Sequence, residues 1–141
     1  MVTSMSMQNN QGIEVRVRPS FSLARSELAS NTFVFTYQVR VSNEGSDPAQ
    51  LLFRHWKIHD SAGEDTEVDG EGVIGKQPIL APGETHTYSS YCVLRSPLGH
   101  MEGHYTFARP DGHLFRVDVP RFVLSAPILP PEEGSEDVVM H

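Results

Sequence analysis

Residues 33–42 read Phe33-Val34-Phe35-Thr36-Tyr37-Gln38-Val39-Arg40-Val41-Ser42, and every odd position is apolar or aromatic. From Thr36 onward the even positions are polar. Successive side chains of an extended strand leave on opposite faces, so this period of two lines Phe33, Phe35, Tyr37, Val39 and Val41 along one face that must be covered.

The same period recurs on either side. Ile13, Val15 and Val17 alternate with Glu14, Arg16 and Arg18. Residues 85–94, 101–107, 114–119 and 121–125 read as further strands. Residues 50–60 are apolar on both parities, which suits a central strand of a two-layer structure. In that run Trp56 shares a face with Leu52, Ile58 and Arg54, and the arginine must either reach an edge or meet a buried acceptor. Turn residues separate the runs: Asn43-Glu44-Gly45, Asp60-Ser61-Ala62-Gly63, Ala81-Pro82-Gly83-Glu84 and Arg109-Pro110-Asp111-Gly112, the last closing a hairpin. Residues 23–29 carry the best helical pattern, long enough only for a loop with a turn or two of helix. The expectation is an all-β chain, an immunoglobulin-like antiparallel β-sandwich of about seven to eight strands. Trp56, on the third strand, fills the space between its sheets.

The 141 residues fit one domain. Residues 13–127 are read as the sandwich, preceded by a polar, flexible segment 1–12 and followed by a flexible acidic tail 128–141. Glu132, Glu133, Glu136 and Asp137 of that tail supply four of the seven net negative charges. With 11 Lys plus Arg against 18 Asp plus Glu and no clustered bases, the chain lacks a phosphate-tracking surface, so nucleic acid is not an expected partner. No apolar run approaches a membrane span, so no membrane insertion is expected. A lone cysteine, Cys92, excludes an internal disulfide and a Cys-based zinc cluster. With no signal-peptide pattern, the cytoplasm is the simplest compartment.

The stretch Asp69-Gly70-Glu71-Gly72-Val73-Ile74-Gly75-Lys76-Gln77-Pro78 contains G-x-G-x-x-G. A dinucleotide cradle of that form needs a helix after its last glycine to aim N–H groups at the pyrophosphate. Pro78 and the following Ile-Leu-Ala-Pro-Gly deny that helix, and Gln77 stands where a Walker loop needs Ser or Thr. Two readings remain: a glycine connection packed closely on the sandwich, or a non-helical nest of N–H groups for a small anion, with Lys76 adding charge.

Asp65, Glu67, Asp69 and Glu71 occupy alternate positions and therefore one face of a strand. Such a row is either a solvated edge that blocks sheet-to-sheet association or a weak site for Mg²⁺ or another divalent ion. The start of this run resembles an EF-hand loop, but Lys76 stands where the bidentate glutamate belongs. His55 and His59, like His100 and His104, are four apart. On a strand that is about 13 Å, too far to share one ion, so a metal would need a pair assembled by the fold. No nucleophile stands beside a base: Cys92 reads as a small core residue, and the serines lie in turns and tails. The chain therefore reads as non-enzymatic.

Arg54-His55-Trp56-Lys57-Ile58, the run from Glu67 through Gly70, Gly72 and Gly75 to Glu84, Tyr88-Ser89-Ser90, Met101-Glu102-Gly103 and Val119-Pro120-Arg121-Phe122 together resemble the ApaG family from about residue 13 to residue 127. The resemblance implies a fibronectin-type-III or immunoglobulin-like sandwich, with an association to cobalt resistance and magnesium efflux in small bacterial members. Related eukaryotic domains, attached to F-box ubiquitin-ligase subunits and to a polymerase-interacting protein, look like protein-interaction modules. It supplies no catalytic residues. The expected function is a binding module for a protein partner or small anionic ligand, using Gly70, Gly72, Gly75 and Lys76 with Arg54 and His55. The alternatives are direct binding of Mg²⁺ or Co²⁺ by Asp65, Glu67, Asp69 and Glu71, and phosphate or nucleotide binding by the glycine loop. No obligatory cofactor is expected.

Overall fold

The computed structural model describes residues 11–127, together with the backbone of residues 2–4. The acidic tail and the rest of the N-terminal segment lie outside the described residues. Among the described residues nine strands follow in order: β1 (Val2–Ser4), β2 (Ile13–Glu27), β3 (Thr32–Asn43), β4 (Ala49–Asp60), β5 (Asp65–Glu71), β6 (Ile79–Leu80), β7 (Thr85–Leu94), β8 (Leu98–Ala108) and β9 (Leu114–Ser125). Seven have seven or more residues, and β1 and β6 are short additions. One sheet has the order β1-β2-β3-β7, the other β5-β4-β8-β9 with β6 also on β4. All pairings are antiparallel. The fold is an antiparallel β-sandwich.

The alternating rows meet between the sheets. Ile13, Val15 and Val17 of β2 and Phe35, Val39 and Val41 of β3 are buried against Leu51, Met101, Tyr105, Phe107, Val117 and Leu124 of the other sheet. Trp56 stands edge-on to Tyr37, Tyr105 and Phe122 with all three ring centroids 5.9 Å away. Each of these rings removes a large apolar area from water, and edge-to-face contact adds to that. The tryptophan thus fills the intersheet space.

Two bulges account for strands whose pattern is not a clean alternation. Between Leu51 and Phe53, β4 carries one residue more than β8, so Leu51 and Trp56 both face inward although they stand five positions apart. Between Val119 and Phe122, β9 carries an extra residue at Pro120-Arg121, where proline costs no ladder hydrogen bond. Residues 121–125, expected as a separate closing strand, are therefore the far half of β9. Residues 23–27, expected as loop, prolong β2, and only Leu28–Ser30 makes a 3-10 turn.

Candidate functional site

The glycine segment is stapled to the β4 bulge. The Gly72 N–H and the Gln77 side-chain amide both donate to the Leu52 carbonyl, at 2.6 and 2.8 Å, and Leu51 N–H donates to Pro78 O at 3.0 Å. Val73 and Lys76 exchange two backbone hydrogen bonds, 2.7 and 3.0 Å, around Ile74 and Gly75. Both central residues have positive φ, 48° and 74°, which makes a tight turn of the type that joins twisted strands. Gly75 serves this backbone conformation, because open space surrounds the position its Cβ would take.

Gly72 serves close approach as well: with φ at +63°, an added Cβ would lie 2.1 Å from the Lys76 carbonyl oxygen. Gly70 makes room for Arg54, the residue opposite it on β4, whose guanidinium carbon would be 2.6 Å from a Cβ there. Arg54 then donates through Nη1 to the Gly72 and Glu71 carbonyls at 2.8 and 3.3 Å. The arginine thus meets backbone acceptors at the lip of the core. The N–H groups of Gly72, Val73 and Lys76 are likewise spent on protein carbonyls. Lys76 itself is exposed.

The outward face of the second sheet gathers the remaining candidates. Register places Asp69 beside His55, Glu67 beside Lys57 and Asp65 beside His59. Across the next ladder His55 meets His104, Lys57 meets Glu102 and His59 meets His100. The imidazoles stack in two pairs, with centroids 5.0 Å apart for His55–His104 and 4.7 Å for His59–His100. His55 binds the Asp69 carboxylate through Nδ1 and lies 3.4 Å from Glu67 through Nε2, while His59 Nδ1 is 2.5 Å from Asp65. On the far side Arg121 donates to Glu102 at 2.9 Å, and Arg116 to Asp118 at 2.7 Å. Burial pushes the pKa of His104 and His100 down, and Arg116 and Arg121 respectively push the same way. The row of cross-strand pairs borders two shallow grooves of about 310 and 380 Å³.

The histidines four apart do not meet, and the fold pairs each with a histidine of another strand. Among the described residues no three His, Cys, Asp or Glu side chains converge to hold a metal ion. Burial and the nearby Asp60 push the Cys92 thiol up to about 11, so it is a thiol and not a nucleophilic thiolate at neutral pH. Sequence reasoning passed over Asp60, a carboxylate only 4% exposed that accepts from Ser96 Oγ, Arg95 N–H and Ala62 N–H at 2.6, 2.6 and 3.1 Å. Its one sequence signal is the Asp-Ser-Ala-Gly turn, where an aspartate takes a backbone N–H two residues on. It ties the β4–β5 turn to the β7–β8 turn.

An ApaG domain profile matches residues 23–109, more than half of the chain. Protein ApaG of Anaeromyxobacter dehalogenans is 49% identical over 123 residues, covering 87% of this chain and 97% of that one.

The chain belongs to the ApaG family.

Protein ApaG of Escherichia coli O1:K1 is 41% identical, covering 87% of this chain and 98% of its own. The crystal structure of the putative ApaA protein from Bordetella pertussis superposes with a TM-score of 0.78 at 42% identity, covering 80% of this chain and 92% of that one. ApaG membership is thus carried by the residues, and the sandwich by the backbone. Among the described residues of this ApaG chain, no helix is long and apolar enough to cross a membrane.

Proposed function

We propose that this ApaG chain is a non-enzymatic, cytoplasmic binding module that acts on divalent-cation homeostasis through a protein partner or small anionic ligand. The observation that carries this reading is the outward face of β5, β4, β8 and β9, where acids, imidazoles and bases form rows of cross-strand pairs bordering shallow grooves. Ordered charges of both signs on a rigid sheet favour recognition over chemistry, since they fix register with a partner of complementary pattern. His55, Asp65, Glu67 and Asp69 belong to this face. Arg54, Gly70 and Gly72 hold up its border, and Lys76 stands exposed at the end of that border. The family's association with cobalt resistance and magnesium efflux supplies the physiological setting.

A photo-cross-linker placed at Lys57 of the full chain tests the reading in cells. One discrete adduct is expected, lost in a His55→Ala, His104→Ala variant of unchanged circular dichroism. Equal adducts from Gln38, on the outward side of the other sheet, would overturn it, as would turnover of any nucleoside polyphosphate by the purified chain.

Direct metal binding draws on one observation, the juxtaposition of His55 and His59 with Asp69 and Asp65. Calorimetric titration with Mg²⁺ or Co²⁺ separates the two readings. Saturable heat that disappears on neutralising Asp65, Glu67, Asp69 and Glu71 would favour the metal.

A further inference from the structure

The outward side of the first sheet gathers charges that the sequence keeps apart. Ile13, Val15 and Val17 of β2 and Val39 and Val41 of β3 are buried, so Arg16, Arg18 and Arg40 point outward. Arg16 stands directly opposite Arg40, and Arg18 stands opposite Gln38, diagonal to the same arginine. Opposed residues have their Cβ atoms about 5 Å apart and diagonal ones about 7 Å, so three guanidinium groups share one patch and repel one another. Thr87 and Ser89 of β7, beside Arg40 and Gln38, add hydrogen-bond donors. Glu14 bonds Arg16 at 3.0 Å and is the one carboxylate among the outward residues of the paired stretches 14–22, 34–42 and 85–93. Arg18 and Arg40 are exposed and have no carboxylate partner among the described residues.

The complementary charge stands in the same chain. Residues 128–141 carry Glu132, Glu133, Glu136 and Asp137 and no Lys or Arg. β9 packs against β2, and its last residue, Ser125, pairs with Leu98 at the end of the sandwich where Phe33 pairs with Leu94. Arg18, level with Gln38, is five residues along the sheet from that end, about 17 Å. The two sheets of a sandwich stand about 10 Å apart, and an extended chain covers about 3.3 Å per residue. Glu132 can therefore lie up to about 17 Å from Pro127 and Asp137 up to about 33 Å, which spans the path to the arginines. The outward face of the second sheet, with the β5 acids, Glu102 and Asp118, repels such a segment.

We infer that the acids Glu132, Glu133, Glu136 and Asp137 dock on the patch of Arg16, Arg18 and Arg40, so that the chain's own C-terminal segment shields this face from other anions. Each exposed guanidinium–carboxylate pair is weak, but several on one segment act together, and the tether holds them at an effective concentration on the order of millimolar. The contact also relieves the repulsion between Arg16 and Arg40. It goes beyond the binding-module reading and uses none of the residues of the histidine face.

The test places a photo-cross-linker at Gln38 of the purified, dilute full chain and maps the cross-linked peptides by mass spectrometry. Cross-links within one chain, from Gln38 to residues 128–141, are expected. Their yield should fall about fivefold at about 1 M salt, where the Debye length is about 3 Å. An equal fall is expected in an Arg18→Gln, Arg40→Gln variant and in one carrying Glu132→Gln, Glu133→Gln, Glu136→Gln and Asp137→Asn, each with unchanged circular dichroism. A cross-linker at Lys57, on the outward face of the other sheet, should give few such products. A cross-link within one chain adds no partner mass, so its loss and the loss of the histidine-face adduct report separate failures. Four results would overturn the inference: equal yields from Lys57 and Gln38, yields indifferent to both charge variants, products that join two chains and so assign the patch to a second copy, or no tail product at all, which leaves the patch to an external anion.

Discussion

The two strands that flank one opening of the sandwich solve the edge problem in opposite ways. β5 places a carboxylate at every second residue and is fastened at its end by Arg54 and the glycine segment. β7 is uncharged and held by an unbroken ladder to β3. An acidic edge repels its own copies and other strands alike, whereas an uncharged edge of ten residues leaves pairing to whatever segment matches it. The difference separates an edge that discourages strand pairing from one whose own residues carry no such device.

The contrast breaks first, and furthest, at Gly72. Gly72→Ala forces a Cβ into the Lys76 carbonyl from a positive-φ position, and a loss of roughly 3 kcal/mol is expected in urea unfolding. Exchange protection should fall in β5 and the 72–78 segment before it falls in β7. Arg54→Ala removes two charge-assisted bonds to backbone carbonyls and should cost roughly 2 kcal/mol, with the same regional signature. If Arg54→Ala left stability untouched, the arginine would be free for a ligand and its structural assignment would fail. Gly75→Ala, which meets open space, should cost only about 1 kcal/mol for its backbone conformation. A loss equal to that of Gly72 would show that close approach is not what sets the two glycines apart.

Acid titration should produce a smaller effect with a definite sign. His100 and His104 are held below their ordinary value of 6.5 in the fold, first by burial and then by Arg121 and Arg116. The unfolded chain therefore binds their protons first, so stability is full above pH 6.5 and declines as pH falls through the window below it. Both side chains are partly exposed, so the slope is shallow. A His100→Gln, His104→Gln variant should flatten it in thermal unfolding followed between pH 7 and pH 5. A second decline belongs to Asp60. Burial alone would raise its pKa, but the bonds from Ser96, Arg95 and Ala62 outweigh burial and hold it below 3.8. Its contribution is lost as pH falls through that lowered value, and Asp60→Asn should abolish this second decline.

The smallest effect on stability is expected at the edges themselves. Exchanging Asp65, Glu67, Asp69 and Glu71 for their amides, or placing lysine at Ser89, should change unfolding free energy by less than about 0.5 kcal/mol per site. Light scattering should nonetheless move in opposite directions, with the amide variant associating more and the lysine variant less. Identical scattering would erase the distinction between the two edges.

The all-β class was legible because alternation is a local property. The rows at Ile13 to Val17 and Phe33 to Val41 report a buried face whatever strand lies beside them. The acidic row was legible as an edge for the same reason, since four carboxylates cannot share a buried face. Residues 121–125 were read as a separate strand because a bulge resets the parity of a continuing one, and nothing in a single strand announces the extra residue. The sequence leaves Arg54 a choice between an edge and a buried acceptor. The acceptors proved to be carbonyls seventeen and eighteen residues away, set by the register of β4 with β5.

The histidines mark the boundary between the two kinds of information. The sequence by itself determined that His55 and His59, or His100 and His104, stand about 13 Å apart along a strand and cannot act as neighbours. Only the tertiary structure decided that His55 lies against His104 and His59 against His100, and that Asp69 and Asp65 bind the first of each pair. Spacing within a strand follows from covalent geometry, whereas contacts across strands follow from which strands pair, in what register and around which bulges. The same reason leaves β7 without a second neighbour among the described residues: its own residues specify a strand, and the order of the sheet makes it an edge.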